Sequence, residues 1–314
     1  MTHPQHGYYV KNQPFGAPTA SGGDFVTAPH ITSLFGDVVA VWVAKTWEKL
    51  GKPVPFSLVE GGAGDGQLMA DMLRALKRMA PACFTAIRLV FLEVSPRLRG
   101  EQALAVQHFG LEAAWAEHVL EIPQDFPVIF VANELLDALP IQQFCDTVER
   151  CVTLTDEKLN FTPPTPVTRE YPCDTMTFLQ QLLPLLKKGA ALFLDYGYIH
   201  SNREKNGAEN ADTLQALHRH TKVDVLSMPG DCDLTAHVPF GLIAELLAEK
   251  QGKERVKVED MAHFLLKHGL ALRATQALDT AKTPEERANI EAACARLLHP
   301  NAMGSLFKVL EVLG

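Results

Sequence analysis

Short apolar runs alternate with helical segments along most of the chain. The apolar runs predict buried strands at 56–59, 86–92, 128–132, 190–194 and 306–313. Apolar positions at helical spacing predict helices at 67–79, 96–109, 177–186 and 284–298. Short strands that alternate with helices form parallel βαβ units. The pattern therefore predicts an α/β protein with a Rossmann-like sheet and helices on both of its faces.

Three segments fall outside this alternation. Residues 1–53 carry a glycine-rich loop and a helix at 33–50, residues 148–174 resemble a hairpin with a proline-rich connection, and residues 197–255 form a long insertion. We therefore predict a core made of 54–196 and 256–314. Because ligands of parallel sheets bind at the carboxyl ends of the strands, we expect 1–53 and 197–255 to cover the site.

A glycine turn follows the first predicted strand. Glu60 ends that strand, and Gly62, Gly64 and Gly66 lead into the next helix. Glycines let the backbone turn tightly and let a ligand approach the amide end of the helix. The second strand ends in Glu93, where a carboxylate commonly accepts hydrogen bonds from the hydroxyls of a ribose. Glu60, the three glycines of the turn and Glu93 are thus predicted to bind a nucleotide cofactor. The alternative is a glycine turn without a ligand, beside a glutamate on the surface.

Polar residues also follow the predicted strand 128–132, the fourth of the core when the strand near Trp115 is counted. Asn133, Glu134 and Asp137 bring an amide and two carboxylates to the expected mouth of the crevice. Dinucleotide oxidoreductases and S-adenosylmethionine-dependent transferases share the preceding pattern, and this cluster favours a transferase, because transfer to nitrogen needs groups that orient the acceptor. If the acceptor is an arginine, as the family resemblance described below implies, we expect Glu134 and Asp137 to grip its planar guanidinium together. As an alternative, Asn133 or Glu134 caps a following helix.

Composition narrows the partners. The chain has 314 residues, 47% of them hydrophobic, and a net charge of −8, which argues against a surface that follows nucleic-acid phosphates and allows a cationic partner. Its six cysteines include no CxxC and its histidines no HExxH, so no metal site is predicted. The first long apolar run, 38–44, is far shorter than the ~20 residues of a membrane span. With no secretory or transit signal visible, the cytoplasm is the expected location.

The motifs together resemble the MidA-type class I methyltransferases, a family that includes a mitochondrial assembly factor for respiratory complex I. The residues that carry the resemblance are Gly7-Tyr8-Tyr9, Gly23 through Pro29, Phe35-Gly36, Glu60 with its glycine turn, Glu93 through Arg99, Asn133-Glu134 with Ala138-Leu139-Pro140, Asp195 through Tyr198, Asp233 through Val238 and Met303-Gly304. They span nearly the whole chain. This chain departs from the family pattern in two places, with His30 where a glutamate is usual and Ala63 where a proline is usual.

The resemblance implies S-adenosyl-L-methionine as the cofactor and a protein as the substrate, with arginine of a complex I subunit as the acceptor of the mitochondrial member. It also implies site roles for Asp24, Thr27 and His237, although Asp24 also suits an Asx-turn and His237 a structural role. Trp115, near the end of a further strand, is predicted either to stack on the adenine or to pack in the core. Two other functions remain open from the sequence, a non-catalytic assembly factor that keeps the fold and a nicotinamide-dependent oxidoreductase.

Overall fold

The computed structural model describes residues 7–8, 27–199, 212–219 and 221–314. The helices of these ranges are α1 (Ala28–Ile31), α2 (Ser33–Lys49), α3 (Gln67–Met79), α4 (Pro81–Thr85), α5 (Pro96–Val106), α6 (Cys173–Leu182), α7 (Phe240–Gln251), α8 (Met261–Lys267), α9 (Leu270–Thr280) and α10 (Pro284–Leu298). The strands are β1 (Phe56–Gly61), β2 (Ile87–Leu92), β3 (Ala113–Ala116), β4 (Val128–Asn133), β5 (Gln142–Cys145), β6 (Val148–Thr155), β7 (Lys158–Thr162), β8 (Arg169–Tyr171), β9 (Ala190–Tyr198), β10 (Gln215–His218), β11 (Thr221–Val223), β12 (Asp233–Thr235), β13 (Val238–Pro239), β14 (Val256–Asp260) and β15 (Phe307–Leu313).

The central sheet has the strand order β14-β15-β9-β4-β1-β2-β3. β1 pairs in parallel with both β2 and β4, and β4 pairs in parallel with β9. β15 runs antiparallel to its two neighbours, β9 and β14. The connections run outward in opposite directions from β1 and from β4, so a topological switch point lies between these two strands. The ligand crevice is expected at their carboxyl ends.

Both faces of this sheet are covered, which confirms the predicted α/β architecture. Every residue of β1 and β4 is buried, as a strand between two helical layers requires. One apolar layer combines this sheet with α2, α3, α8 and α10. The other layer combines it with α6 and α7.

The predicted boundary of the long insertion at 255 is wrong, because its last part belongs to the core. β13 pairs in parallel with the end of β9, and α7 buries Phe240, Ile243 and Leu247 in the same apolar layer as α6. These three positions follow helical spacing, which explains why the helix packs on the sheet. What stands apart from the core in the described part of the insertion is a small sheet of order β11-β10-β12.

A second sheet, of order β7-β6-β5-β8, stands beside the core. The predicted hairpin is present as β6 and β7, with Val152 opposite Phe161. The structure adds β5 and β8, which pair antiparallel and enlarge the hairpin into a four-stranded sheet. Within the described residues, none of the helices has the length and apolar character that crossing a membrane requires.

Helix α2 is fixed tightly to α3, the helix that follows the glycine turn. A Cβ atom on Gly36 would lie 2.4 Å from the Cβ of Asp71, so only glycine permits this approach. Beside it, Asp37 accepts hydrogen bonds from Arg74 at 2.9 Å and from Arg78 at 3.3 Å. The N-terminal segment is thereby attached to the helix that begins at the expected cofactor site.

Candidate functional site

A cavity of about 250 Å³ opens at the carboxyl ends of β1, β2 and β4, beside the switch point. The lining comes from the glycine turn, from the residues after β2 and β4, and from the start of α1. It consists of Thr27, Pro29, His30, Glu60, Gly62, Ala63, Gly64, Asp65, Gln67, Leu68, Leu92, Glu93, Val94, Leu98, Glu117, Asn133, Glu134, Leu135, Ala138, Leu139 and Phe178. The cavity thus joins residues that are up to 151 positions apart in the sequence (27 to 178).

The glycine turn takes the conformation that its sequence predicts. Gly62, Gly64 and Gly66 have φ angles of 64°, 55° and 86°, which favour glycine. Gly62 and Gly64 line the cavity, whereas Gly66 serves helix packing. A Cβ atom on Gly66 would lie 3.1 Å from the Cα of Gln102 in α5. The turn therefore exposes bare backbone to the cavity and also lets α5 lie close behind it.

Glu60 lies at the floor of the cavity with an incompletely bonded carboxylate. The side chain is buried, and its Oε2 atom has no hydrogen-bond partner among the described residues. Burial, with a further contribution from Asp65, raises its pKa well above the usual value. A buried carboxylate with an unused oxygen suits a cationic ligand group, such as an ammonium.

Glu93 is, by contrast, held at both carboxylate oxygens. Its Oε1 atom accepts a hydrogen bond from the Ser95 backbone N–H at 2.8 Å, and its Oε2 atom accepts one from Nε2 of Gln102 at 3.2 Å. The Arg99 guanidinium donates to the backbone carbonyl of Glu93. Burial raises the pKa of Glu93, whereas the donors from Ser95 and Gln102 oppose that rise. The carboxylate is fixed at the cavity wall, where a ribose could donate to it.

Glu134 follows β4 in a strained backbone conformation. Its φ angle is 52°, in the left-handed region that side chains rarely adopt. Oε1 accepts hydrogen bonds from Nδ2 of Asn133 at 2.9 Å and from the Ala28 backbone N–H at 3.4 Å, whereas Oε2 has no partner among the described residues. Burial, with a contribution from the Asp137 carboxylate, raises the pKa of Glu134 to about 8. No cap of a following helix is formed here, because 134–141 continues in turns and extended chain.

Asp137 is absent from the cavity lining, although its carboxylate is close enough to Glu134 to help raise the pKa of that residue. Asp137 is buried and forms a hydrogen bond with the Tyr196 side chain. The neighbouring Asp195 carboxylate accepts from the backbone N–H groups of Leu136 and Asp137, at 2.8 and 3.2 Å. Its Oδ1 atom is buried without a hydrogen-bond partner among the described residues, and the shared grip of Asp137 and Glu134 on an acceptor stays a prediction.

The N-terminal segment contributes Thr27 and His30 to the cavity. The His30 ring bonds Thr27 Oγ1 through Nδ1 at 2.8 Å and Asp65 Oδ2 through Nε2 at 2.8 Å. The hydrogen bond to Asp65 raises the pKa of His30, and the same contact helps to lower that of Asp65. His30 thus connects α1 to the glycine turn at the wall of the cavity. The predicted site residue Asp24 lies outside the described residues.

Two further predicted site residues stand away from the cavity lining. Trp115 stacks on Phe91, with ring centroids 5.8 Å apart, and its indole N–H donates to Gln102, so the packing alternative describes its position. His237 meets the Tyr196 ring edge-on, at 5.4 Å between centroids. Burial lowers the pKa of His237, so its ring is neutral at pH 7. Neither side chain reaches the cavity in this conformation.

The ionisable side chains of the lining are almost all acidic. Among the described residues, the lining has five carboxylates and one imidazole, and it contains no lysine or arginine. Those described residues also contain no cluster of three or more histidine, cysteine, aspartate and glutamate side chains that could hold a metal ion. Unbonded oxygens at Glu60 and Asn133, and a glycine turn open to the ligand, fit S-adenosylmethionine, which carries an ammonium and a sulfonium.

Comparison with known proteins decides the family. A family model described as "Putative S-adenosyl-L-methionine-dependent methyltransferase" matches residues 38–258, more than half of the 314 residues. The chain belongs to this methyltransferase family. S-adenosylmethionine is accordingly its cofactor, and the alternative of a nicotinamide-dependent oxidoreductase is set aside.

Relatives of this methyltransferase are similar to it along its whole length. The Drosophila melanogaster protein arginine methyltransferase NDUFAF7 homolog, mitochondrial, is 30% identical over 99% of this chain and 79% of its own. The Mus musculus protein arginine methyltransferase NDUFAF7, mitochondrial, is 29% identical over 100% of this chain and 78% of its own. A solved Burkholderia thailandensis protein with bound S-adenosyl-homocysteine is 27% identical, covers 99% of this chain and 84% of its own, and superposes with a TM-score of 0.80.

The structure also adds residues that the sequence prediction missed. His30 and Asp65 form a contact across 35 positions that no local pattern marks. Gln102 does carry a signal, because it occupies the inward face of α5 between Leu98 and Val106, where an apolar residue is expected. A polar residue on a buried helical stripe indicates a specific buried bond.

Proposed function

We propose that this methyltransferase transfers a methyl group to a guanidinium nitrogen of an arginine in a protein. The observation that carries the proposal is the Glu134 carboxylate. It lines the cavity, one of its oxygens has no hydrogen-bond partner among the described residues, and its backbone is held at a φ of 52°. Strain of this kind persists where the surrounding structure imposes it, and it is found most often at functional sites.

The charge of the cavity supports a cationic acceptor. Five carboxylates and one imidazole line it, so a phosphate or carboxylate acceptor would meet repulsion. A guanidinium is always charged and presents several N–H donors in a planar fork. One edge of that fork can bond Glu134, which leaves another nitrogen free for the methyl group. A lysine ammonium lacks this second, coplanar nitrogen.

The residues of this chain then divide the work. When bound, S-adenosylmethionine supplies the methyl group as a sulfonium, and the electron pair of the broken carbon–sulfur bond stays on sulfur. Glu60 and the glycine turn hold the cofactor's charged end, and Glu93 accepts its ribose hydroxyls. Glu134 orients the guanidinium and accepts the proton that the nitrogen loses as its bond to carbon forms. A pKa of about 8 suits this last role near neutral pH.

The relatives narrow the proposed acceptor. The Drosophila melanogaster and Mus musculus proteins are named as mitochondrial protein arginine methyltransferases. In line with the resemblance to a complex I assembly factor, we propose an arginine of a respiratory complex I subunit, or of a similar protein, as the acceptor. We propose the cytoplasm as the compartment of this chain.

Single-turnover transfer tests the proposal. Labelled S-adenosylmethionine is mixed with the enzyme and a protein fraction from cells that contain complex I, and modified residues are identified by mass spectrometry. We expect methylarginine, and we expect Glu134→Gln to reduce transfer by ~100-fold or more, because only acceptor orientation and proton removal are lost. Cofactor affinity should stay unchanged, as measured by titration with S-adenosyl-homocysteine.

Glu259→Gln provides the matched control, because Glu259 is also a buried glutamate but lies on β14, away from the cavity. It should transfer at the unmodified rate. Full transfer by Glu134→Gln would contradict the proposed role, and methyllysine as the main product would contradict the acceptor. A protein that binds the cofactor but transfers to no acceptor would favour the non-catalytic assembly factor.

A further inference from the structure

Gln102 lies in α5, fully buried behind the wall of the cavity. Its Nε2 atom lies 2.9 Å from the backbone carbonyl of Gly64 and 3.2 Å from Oε2 of Glu93. Its Oε1 atom lies 2.9 Å from the indole nitrogen of Trp115. One side chain therefore contacts the glycine turn after β1, the carboxylate after β2 and the edge strand β3.

The chemistry of these partners allows only one orientation of the amide. An indole N–H can only donate, so it must face the carbonyl oxygen of Gln102. A backbone carbonyl can only accept, so the NH₂ group must face Gly64. The NH₂ group has two protons, and the second is directed to Glu93. All the hydrogen bonds of this buried amide are thus mutually consistent.

The two groups that Gln102 joins are the two sides of the predicted cofactor site. Gly64 lines the cavity with its backbone, and Glu93 lines it with its carboxylate. They follow different strands, β1 and β2, and are 29 positions apart (64 to 93). Close packing of Gly66 on Gln102 brings the helix to the distance at which this bridge forms.

We propose that Gln102 is a positioning residue for the cofactor, which holds the glycine turn and the Glu93 carboxylate at a fixed separation and orients that carboxylate toward the ribose. It touches no ligand itself and acts through Gly64 and Glu93. The proposal concerns cofactor binding and is independent of which acceptor is methylated.

Titration with S-adenosyl-homocysteine tests the role. Gln102→Met keeps the length of the side chain and removes its donors and its acceptor. We expect the dissociation constant to rise by about tenfold or more, the scale of losing hydrogen bonds to a charged buried group. The Glu93→Gln variant should itself bind S-adenosyl-homocysteine more weakly. In that variant, adding Gln102→Met should raise the dissociation constant by less than about threefold, because most of the energetic coupling between Gln102 and Glu93 is already lost.

The pH dependence of binding separates positioning from general destabilisation. Gln102 donates to the ionised form of Glu93 and so holds its pKa down. Without that donor the pKa of Glu93 rises, so the loss of affinity on acidification should begin at a higher pH in Gln102→Met. A variant that is only less stable would keep the original midpoint.

Gln143→Met is the matched control. Gln143 is also a buried amide that donates to a glutamate, Glu170, at 2.8 Å, but it lies in β5 of the second sheet. Its replacement should lower stability and leave both the affinity and its pH midpoint unchanged. Equal losses from Gln102→Met in the two Glu93 backgrounds, or an unchanged affinity in folded Gln102→Met, would overturn the proposal.

The unmodified protein gives an independent measurement if these variants fail to fold. The chain has three tryptophans, and each indole N–H has a different partner: Trp115 bonds Gln102, Trp42 bonds Glu311, and Trp47 bonds a backbone carbonyl. With ¹⁵N-labelled indole, saturating S-adenosyl-homocysteine should shift the Trp115 resonance and leave the Trp42 and Trp47 resonances in place. An unmoved Trp115 resonance, assigned through Trp115→Phe, would overturn the proposal.

Discussion

Two glutamates at the same edge of the sheet are held in opposite ways. Glu93, after β2, accepts a hydrogen bond at each carboxylate oxygen, and α5 packs behind it. Glu134, after β4, has a φ of 52°, one oxygen without a partner among the described residues and a pKa raised to about 8. Glu93, on the side of the cavity assigned to the cofactor, is therefore already fixed, whereas Glu134, on the side assigned to the acceptor, keeps strain and unused bonding capacity.

This difference has a physical reading. A site whose donors are in place binds its ligand without reorganisation, which suits a cofactor that must bind at every turnover. A raised pKa and an unused oxygen mean that the Glu134 carboxylate is stabilised only when a cation arrives. The strain on that side is therefore tied to binding and proton removal, and changes on the two sides should have different readouts.

Gly64→Val should have the largest effect of the three changes, because it should abolish binding on the cofactor side of the cavity. A β-branched side chain at a φ of 55°, on the cavity wall, would occupy the space in which the ligand meets the backbone. We expect S-adenosyl-homocysteine binding to be lost by calorimetry while circular dichroism shows a folded protein. Gly110→Val is the control, because Gly110 has a φ of 74° but faces open space. If folded Gly64→Val binds normally, the glycine turn does not hold the cofactor.

The pH dependence of methyl transfer should test the role of Glu134 on the acceptor side of the cavity. Glu134 acts in its ionised form, which predominates above its pKa of about 8. With saturating cofactor, kcat/KM for the acceptor should rise about tenfold per pH unit below that value and become level above it. The profile of Glu134→Gln should lack this rise. His30→Gln should retain it, and loss of the inflection in that variant would assign the titration to His30 instead.

The smallest effect is a gain in stability when Glu134 is replaced. Because the folded-state pKa of Glu134 is about 8, above the usual 4.5, the unfolded chain releases this proton first, and stability falls as pH rises between these values. Glu134→Gln cannot ionise and should melt about 2–4 °C higher than the unmodified protein at pH 8.5, and the gap should shrink toward pH 5.

Glu259 serves as the control, because its ionisation changes the stability of the fold in the opposite direction. Lys257 and Lys267 donate to its carboxylate and lower its pKa, so the ionised side chain stabilises the fold above the usual pKa. Glu259→Gln should therefore melt lower at pH 8.5. A lower melting temperature for Glu134→Gln as well would show that Glu134 is a structural anchor.

The sequence predicts the parts of the fold that depend on local pattern. The helices 67–79 and 284–298 are present with those bounds, because amphipathic spacing and clear end signals mark them. The glycine turn and Glu93 lie at the cavity as predicted, because each directly follows a buried parallel strand. The sequence prediction places the helix Phe240–Gln251 in the insertion, although the helical spacing of its apolar residues indicates a helix that packs on the core.

What the sequence does not predict depends on contacts between distant residues. Nothing local shows that His30 meets Asp65, or that Trp115 stacks on Phe91 and donates to Gln102. That Glu134 lines the cavity while Asp137 does not is equally hidden, because the turn between them begins with a positive φ at Glu134. Spacing along the chain cannot reveal such a turn, because a glutamate rarely adopts it.

The position of β15 has a consequence for synthesis. It lies between β9 and β14 and follows both of them in the chain. As the polypeptide leaves the ribosome, β1, β2 and β4 can pair early, whereas the edge of β9 at residues 190–196 that pairs with β15 stays open until residues 307–313 emerge. During that interval an apolar strand edge is open to other chains. This edge of the sheet is therefore protected only after residues 307–313 have been synthesised and have paired with β9.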